Sequence, residues 1–157
     1  MGTHIVLYEP EIPFNTGNIA RTCLATNTTL HLIHPLGFST DDKMLKRAGL
    51  DYWKNVDVHE YDSLDSFYLE HSDGEHYFIE NFGTKQYTDF DFSRTDIDQY
   101  FIFGKETTGI PREVIKGKEG KCLRIPTTDK VRSLNLSNCA TIILYEVLRQ
   151  QKFNNLI

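Results

Sequence analysis

The 157-residue chain has only three cysteines, Cys23, Cys122 and Cys139, far apart and without a C-x-x-C pair. An odd, scattered set suits reduced thiols in a cytoplasm and argues against a disulfide framework or a thiolate zinc site. No apolar run approaches the roughly 20 residues of a membrane span. The MGTHIVLYEP start lacks the basic region and long apolar stretch of a secretory signal. Val6 stands where a myristoylation signal needs Ser or Thr. Neither the 10 glycines nor the 5 prolines gather into a linker, and there is no internal repeat, so residues 1–157 are expected to form one domain. With 39% hydrophobic and 25% charged residues, the chain is neither disordered nor fibrous.

Several catalytic signatures are missing as well. The first strand-to-helix turn holds one glycine, Gly17, where a dinucleotide-binding domain would carry G-x-G-x-x-G. There is no G-x-x-x-x-G-K-[ST] phosphate loop, no G-x-S-x-G nucleophile turn and no H-E-x-x-H metal pair. The six histidines are scattered along the chain. Each is expected to be a surface or packing residue, and no metal is implied.

A net positive charge is also lacking. The formal charge is −5, but it is unevenly spread. Residues 57–100 carry 12 acids and 2 bases, whereas residues 104–132 carry 8 bases and 4 acids. A polarised molecule of this kind can steer a polyanion to one face while the acidic segment looks elsewhere.

The pattern predicts strands alternating with helices. Strands are expected at Thr3–Tyr8, Leu30–Ile33, Asn55–Tyr61, His76–Phe82, Tyr100–Phe103 and Cys122–Ile125. Helices are expected at Thr16–Thr26, capped by Asn15 or Thr16, at Asp41–Ala48, capped by Thr40 or Asp41, at Leu64–Glu70, from near Pro111, and at Leu136–Gln151. The final helix is apolar on more than one face, which fits a core or interfacial position. This order points to an α/β fold, a mostly parallel sheet with helices on both faces.

Three segments combine polar groups at strand-to-helix junctions. Asn15-Thr16-Gly17-Asn18-Ile19-Ala20-Arg21 sets Asn18 and Arg21 three apart, so both face one side of a helix. Phe103–Pro111 forms a glycine-flanked loop after a buried strand, where open α/β sheets bind ligands. Ile125–Asn138 is a polar loop running into the last helix. Singly, these read as a capped helix, a tight turn and a helix start.

Together and in this order they resemble the motifs of the SpoU/TrmH class of SPOUT RNA methyltransferases. The likeness is greatest to the small YibK-like tRNA (cytidine/uridine-34) 2′-O-methyltransferases. The matching segments are Ile5–Arg21, Phe103–Pro111, Ile125–Asn138 and Tyr145, with Lys46–Tyr52 as a further match. Phe14 stands where proline is common, and Lys105 and Thr108 replace a frequent proline and arginine.

The resemblance implies a C-terminal trefoil knot and the use of S-adenosylmethionine to methylate the wobble ribose of tRNA, leucine tRNAs among them. It implies cofactor contacts from Glu80, Asn81, Phe82, Gly104, Glu106, Gly109, Ile125, Ser133, Leu134 and Asn138. Arg21, Asn15, Asn18, Glu106 and Asn135 would form the catalytic group. In it, Arg21 anchors phosphate and steadies the developing alkoxide, because a guanidinium scarcely gives up its proton. Lys43, Lys46, Arg47, Arg132 and Tyr145 would contact the anticodon stem-loop. The resemblance also implies a homodimer whose active site is completed across the interface, in the cytoplasm and without a membrane anchor. A ribosomal-RNA 2′-O-methyltransferase of the same fold, disfavoured by the lack of an appended RNA-binding segment, and a non-catalytic RNA-binding protein are the alternatives.

Overall fold

The computed structural model describes residues 2–48 and 50–157; Gly49, inside the Lys46–Tyr52 match, lies outside the described residues. One seven-stranded sheet runs through the chain. Its strands are β1 (Thr3–Tyr8), β2 (Thr29–Ile33), β3 (Val58–Tyr61), β4 (Glu75–Ile79), β5 (Lys85–Gln86), β6 (Gln99–Phe103) and β7 (Cys122–Arg124). The order is β3-β2-β1-β6-β4-β7-β5, and each pairing between them is parallel. The helices are α1 (Pro13–Ala25), α2 (Lys43–Ala48), α3 (Leu64–Glu70), α4 (Arg112–Ile115) and α5 (Leu136–Gln150).

Alternation along each strand divides the core into two layers. Ile5 and Leu7 of β1, with Phe101 and Phe103 of β6, face α1 and α5. Val6, Ile102 and Phe78 face the other way, against Phe67 of α3 and Ile115 of α4. Each such buried side chain contributes about 1.5–3 kcal/mol relative to exposure. On α5 the buried residues Ala140, Ile143, Leu144, Val147 and Leu148 form one stripe, a narrower apolar face than the sequence suggests.

The differences from the predicted boundaries have local causes. Helix α1 begins at Pro13, not Thr16, because proline is tolerated in the first turn. Its N-cap is Ile12, which has no capping side chain, so Asn15 and Thr16 lie inside the helix and are buried. Helix α2 begins at Lys43, and the Asp42 carboxylate accepts from the Met44 amide at 2.7 Å. Residues Leu50–Asn55 wind into a 3-10 turn and shorten β3 to Val58–Tyr61. The fourth predicted strand ends at Ile79, which leaves Glu80–Phe82 in a loop. The two-residue β5 has no sequence signal of its own.

The histidines are not all isolated. A hydrogen-bonded chain runs across the strands from Asp98 to His4 (3.0 Å), His31 (2.9 Å), Tyr61 (2.8 Å), His71 (2.8 Å) and Tyr100 (3.1 Å). Sequence separation hid this cluster; parallel register assembles it. Its proton order follows from one end. The Asp98 carboxylate can only accept, so His4 donates through Nε2, and its Nδ1 accepts from His31 Nε2–H. With the buried His31 neutral, the same logic has Tyr61 donate to His31 and His71 donate to Tyr61.

Burial holds the His31 imidazole neutral, with its pKa pushed from 6.5 to about 2, and the neighbouring His4 and His71 add to the shift. The unfolded chain protonates near 6.5, so at acid pH it binds protons that the folded chain refuses. His31 therefore stabilises the fold fully above that pH and loses about 1.4 kcal/mol per pH unit below it. Urea unfolding at pH 7 and pH 5 should show a loss of about 2 kcal/mol from this group. His31→Gln should flatten the slope, and an unchanged slope would contradict the argument.

Candidate active site

Three adjacent strands, β6, β4 and β7, open at their C-terminal ends into the loops 104–110, 80–83 and 125–135. These loops and the start of α1 enclose a cleft of about 680 Å³, within the range of small-ligand sites. Ile79, Phe82, Ile125, Leu134 and Leu136 supply apolar walls, and Glu80, Glu106, Arg112 and Arg132 supply charge.

The 104–110 loop is folded on itself. The Gly109 amide donates to the Lys105 carbonyl at 2.9 Å. A Cβ on Gly104 would collide with the backbone of Gly109 and Ile110. Gly109 has φ +71°, and a Cβ there would overlap Glu80 Oε1. The two glycines thus serve the loop's own closure. Glu80 accepts from the Ile110 amide at 2.5 Å and the Asn81 amide at 3.3 Å. Burial raises its carboxyl pKa, against these two hydrogen bonds and the Arg112 charge.

A reciprocal pair of carboxylates joins this loop to the start of α1. Glu106 accepts from the amides of Glu11 (2.8 Å) and Ile12 (3.1 Å). Glu11 in turn accepts from the Thr107 amide at 3.0 Å and hydroxyl at 2.7 Å. Those two bonds hold its carboxyl below the usual range. Glu106 places negative charge at the N-terminus of α1, which lacks a capping side chain. The Asn15 amide also donates to Glu106, at 3.4 Å, while its oxygen accepts from Asn135 at 3.0 Å. Asn135 caps α5 by accepting from the Ser137 and Asn138 amides. A polar chain therefore ties the beginnings of α1 and α5 to the loop.

The 125–135 segment is pinned across its neighbours: Asn81 donates to the Arg132 carbonyl at 3.2 Å, and Arg132 donates to the Thr107 carbonyl at 3.1 Å. Opposite, the Arg112 guanidinium lies 4.1 Å from the centroid of the Phe82 ring, close enough for a cation–π contact. The Cys139 thiol, also in the lining, is pushed up to about 11 by burial and stays protonated at neutral pH.

Of the sequence-predicted residues, Asn15, Glu80, Asn81, Phe82, Gly104, Glu106, Gly109, Ile125, Arg132, Ser133, Leu134 and Asn135 line the cleft. Asn138 stands just behind it, its amide bonded to Asn135. Arg21 and Asn18 are exposed on α1 and do not line the cleft, whereas the buried Asn15 bonds to Glu106 and Asn135. Lys43, Lys46 and Arg47 are exposed on α2, and Tyr145 is 44% exposed on α5 near Phe153. Sequence reasoning missed Glu11 and Arg112. The acid at Glu11, between two prolines just ahead of a helix, was the available signal for the first; the second was marked only as one base of the 104–132 stretch.

A parallel α/β sheet with a loop-built cleft beyond its strand ends sets a ligand site where open α/β folds carry theirs. The chain belongs to the SpoU rRNA Methylase family, whose model matches residues 2–145. A Geobacillus stearothermophilus protein provisionally named a tRNA (cytidine(34)-2′-O)-methyltransferase is 61% identical over 156 residues, 99% of each chain. A solved protein studied for 2-OH methylation of C/U34 on tRNA is 38% identical, with a TM-score of 0.86 and 96% of each chain covered. An AdoMet-bound rRNA methyltransferase of Sinorhizobium meliloti shares the fold at 22% identity and a TM-score of 0.82, over 94% of this chain and 56% of its own.

Gly109→Ala should disturb both the loop and Glu80. Gly117, also left-handed at φ +83°, has open space where a Cβ would project, with nothing within 4 Å, and serves as the control. Gly117→Ala should cost only the backbone term of about 1–2 kcal/mol. Gly109→Ala should cost clearly more in urea unfolding and weaken binding of S-adenosylhomocysteine at least tenfold; equal losses in both variants would refute the Glu80 contact.

Proposed function

We propose that the protein methylates the ribose 2′-oxygen of nucleotide 34, a cytidine or modified uridine, at the wobble position of tRNA, with S-adenosylmethionine as donor. The observation that carries this reading is the match over 99% of both chains to a relative named for that activity, together with a cleft built from the three sequence segments that resemble the class.

The cleft suits the donor. Ile79, Phe82, Ile125 and Leu134 offer apolar surface for an adenine, and the half-buried Glu80 carboxylate offers negative charge to a cationic ligand. When bound, the cofactor supplies an activated methyl group and leaves as S-adenosylhomocysteine. The chain's own contribution is alignment and charge. No histidine among the described residues lines the cleft, the Cys139 thiol keeps its proton, and Glu80 and Glu106 already accept backbone hydrogen bonds. Nor, among the described residues, is any group of three or more His, Cys, Asp or Glu placed to hold a metal ion.

The Arg21 guanidinium is suited to hold phosphate and to stabilise negative charge growing on the 2′-oxygen. Because it does not line the cleft of its own chain, we assign it to the cleft of a second copy in a homodimer. Exposed Ile12, Phe14, Leu134, Tyr145 and Phe153 provide apolar surface for such an assembly. The anticodon stem-loop would then meet α2 and the Arg132 side of the cleft. We take residues 1–157 as one domain with the C-terminal trefoil knot that the family resemblance implies. A cytoplasmic location fits a tRNA substrate and three free thiols; no helix among the described residues is long and apolar enough to cross a membrane.

Mass-spectrometric mapping of ribose methylation in tRNA from cells with and without the protein tests the assignment, leucine tRNAs first. Methylation appearing instead on ribosomal RNA, or tRNA bound without methylation, would overturn it. Arg21→Ala should abolish transfer while S-adenosylhomocysteine affinity stays within a few fold; loss of cofactor binding with an intact tRNA complex would refute the role given to Arg21.

Affinity for tRNA should fall steeply with salt despite the net charge of −5, with a logarithmic slope of roughly −0.7 to −0.9 per phosphate contact. Lys46→Glu or Arg47→Glu should flatten that slope, whereas substitutions in the acidic 57–100 segment should leave it unchanged. A salt-independent affinity would contradict the charge argument.

A further inference from the structure

The outer face of α1 carries an aromatic group to which neither the cleft nor the motif roles give a task. Tyr52, in the 3-10 turn Leu50–Asn55, is 40% exposed. The Arg21 guanidinium carbon lies 5.5 Å from the centroid of its ring, near the outer limit of a cation–π contact. The turn and α2 both pack on α1, so Tyr52 shares one layer with exposed Lys43, Lys46, Arg47 and Lys54. The acids before α2 are partly engaged there: Asp41 lies 3.8 Å from Lys46, and Asp42 accepts from the Met44 amide.

An open tyrosine ring among cations has the composition of a single-stranded nucleic-acid site. Cations take the phosphates, and the ring takes the face of an unstacked base. A duplex keeps its base faces stacked and offers none, and an acidic peptide would use the cations but has no flat π face to match the ring. Anticodon-loop bases are unpaired, which commits the choice of partner.

We propose that Tyr52 is a positioning residue, a platform on which an unpaired base of the RNA loop stacks. Arg21, held beside that ring, is thereby set at a fixed distance from the ribose and phosphate adjoining the stacked base. This inference rests on the tRNA reading above, and it adds the group that sorts a loop from a helix.

The test uses an anticodon stem-loop RNA carrying 2-aminopurine at successive loop positions, titrated into the full-length protein. Wild type should quench the probe at one position. Tyr52→Phe and Tyr52→Trp, which keep a π face, should retain the quench. Tyr52→Leu should lose it and weaken RNA affinity about five- to 150-fold, the worth of one base–aromatic stack, while S-adenosylhomocysteine affinity and melting temperature hold. Should Tyr52→Leu not fold, the Trp variant decides alone, because its own fluorescence should fall on RNA binding. Unchanged quench and affinity in Tyr52→Leu, Tyr52→Phe failing like Leu, an RNA-insensitive Trp, or a loss confined to self-association would each overturn the platform. Wild-type protein that binds S-adenosylhomocysteine but not the stem-loop would instead overturn the tRNA reading on which the platform depends.

Discussion

Helix α1 starts with no cap of its own, and a carboxylate from a distant loop supplies what it lacks. Glu106 accepts the amides of Glu11 and Ile12 just ahead of the helix, and Glu11 answers by accepting from Thr107. This exchange fixes where α1 begins and how it is turned. With Pro13 first in the helix, Asn15 points inward to Glu106 and Asn135, and Arg21 is left on the outer face. The cleft wall, the direction of Arg21 and the starting point of α5 all follow from that setting.

The sheet separates two polar environments. Beyond the C-terminal strand ends, backbone amides and carboxylates surround a cleft whose groups are partly wet and charged. On the other side, three imidazoles and two phenols form a largely buried chain that reaches Asp98. Burial explains the difference in titration: His31 refuses a proton inside the sheet layer, while Glu80, with two amide donors, is raised against their pull.

Charge follows the same division. The acidic 57–100 segment builds β3, α3 and β4 with the loop toward β6, whereas the basic 104–132 stretch sends Lys105, Arg112 and Arg132 into the cleft. A second cationic surface comes from α2 and the turn behind it, next to Arg21. An overall acidic chain therefore presents two basic faces, and a polyanion that meets both bridges the cleft and the outside of α1.

Sequence by itself determined the alternation of strands and helices, because buried parallel strands need continuous apolar runs such as Ile5-Val6-Leu7 and Tyr100–Phe103. It also marked two of the three cleft loops, 104–110 and 125–135, through the proline, glycine and asparagine at their strand ends, but read the third, Glu80–Phe82, as strand. It placed Asn18 and Arg21 on one helical face through their spacing alone. What it did not determine were relations between residues far apart in the chain. The Glu11–Thr107 and Asn15–Asn135 bonds, the inward turn of Asn15 against the outward turn of Arg21, and the chain from Asp98 through His4 and His31 to Tyr100 depend on strand order and register. Local periodicity carries no record of which strand lies beside which. Only the packed sheet, by setting β1 between β2 and β6, decided that scattered histidines touch and that a carboxylate 95 residues away caps a helix.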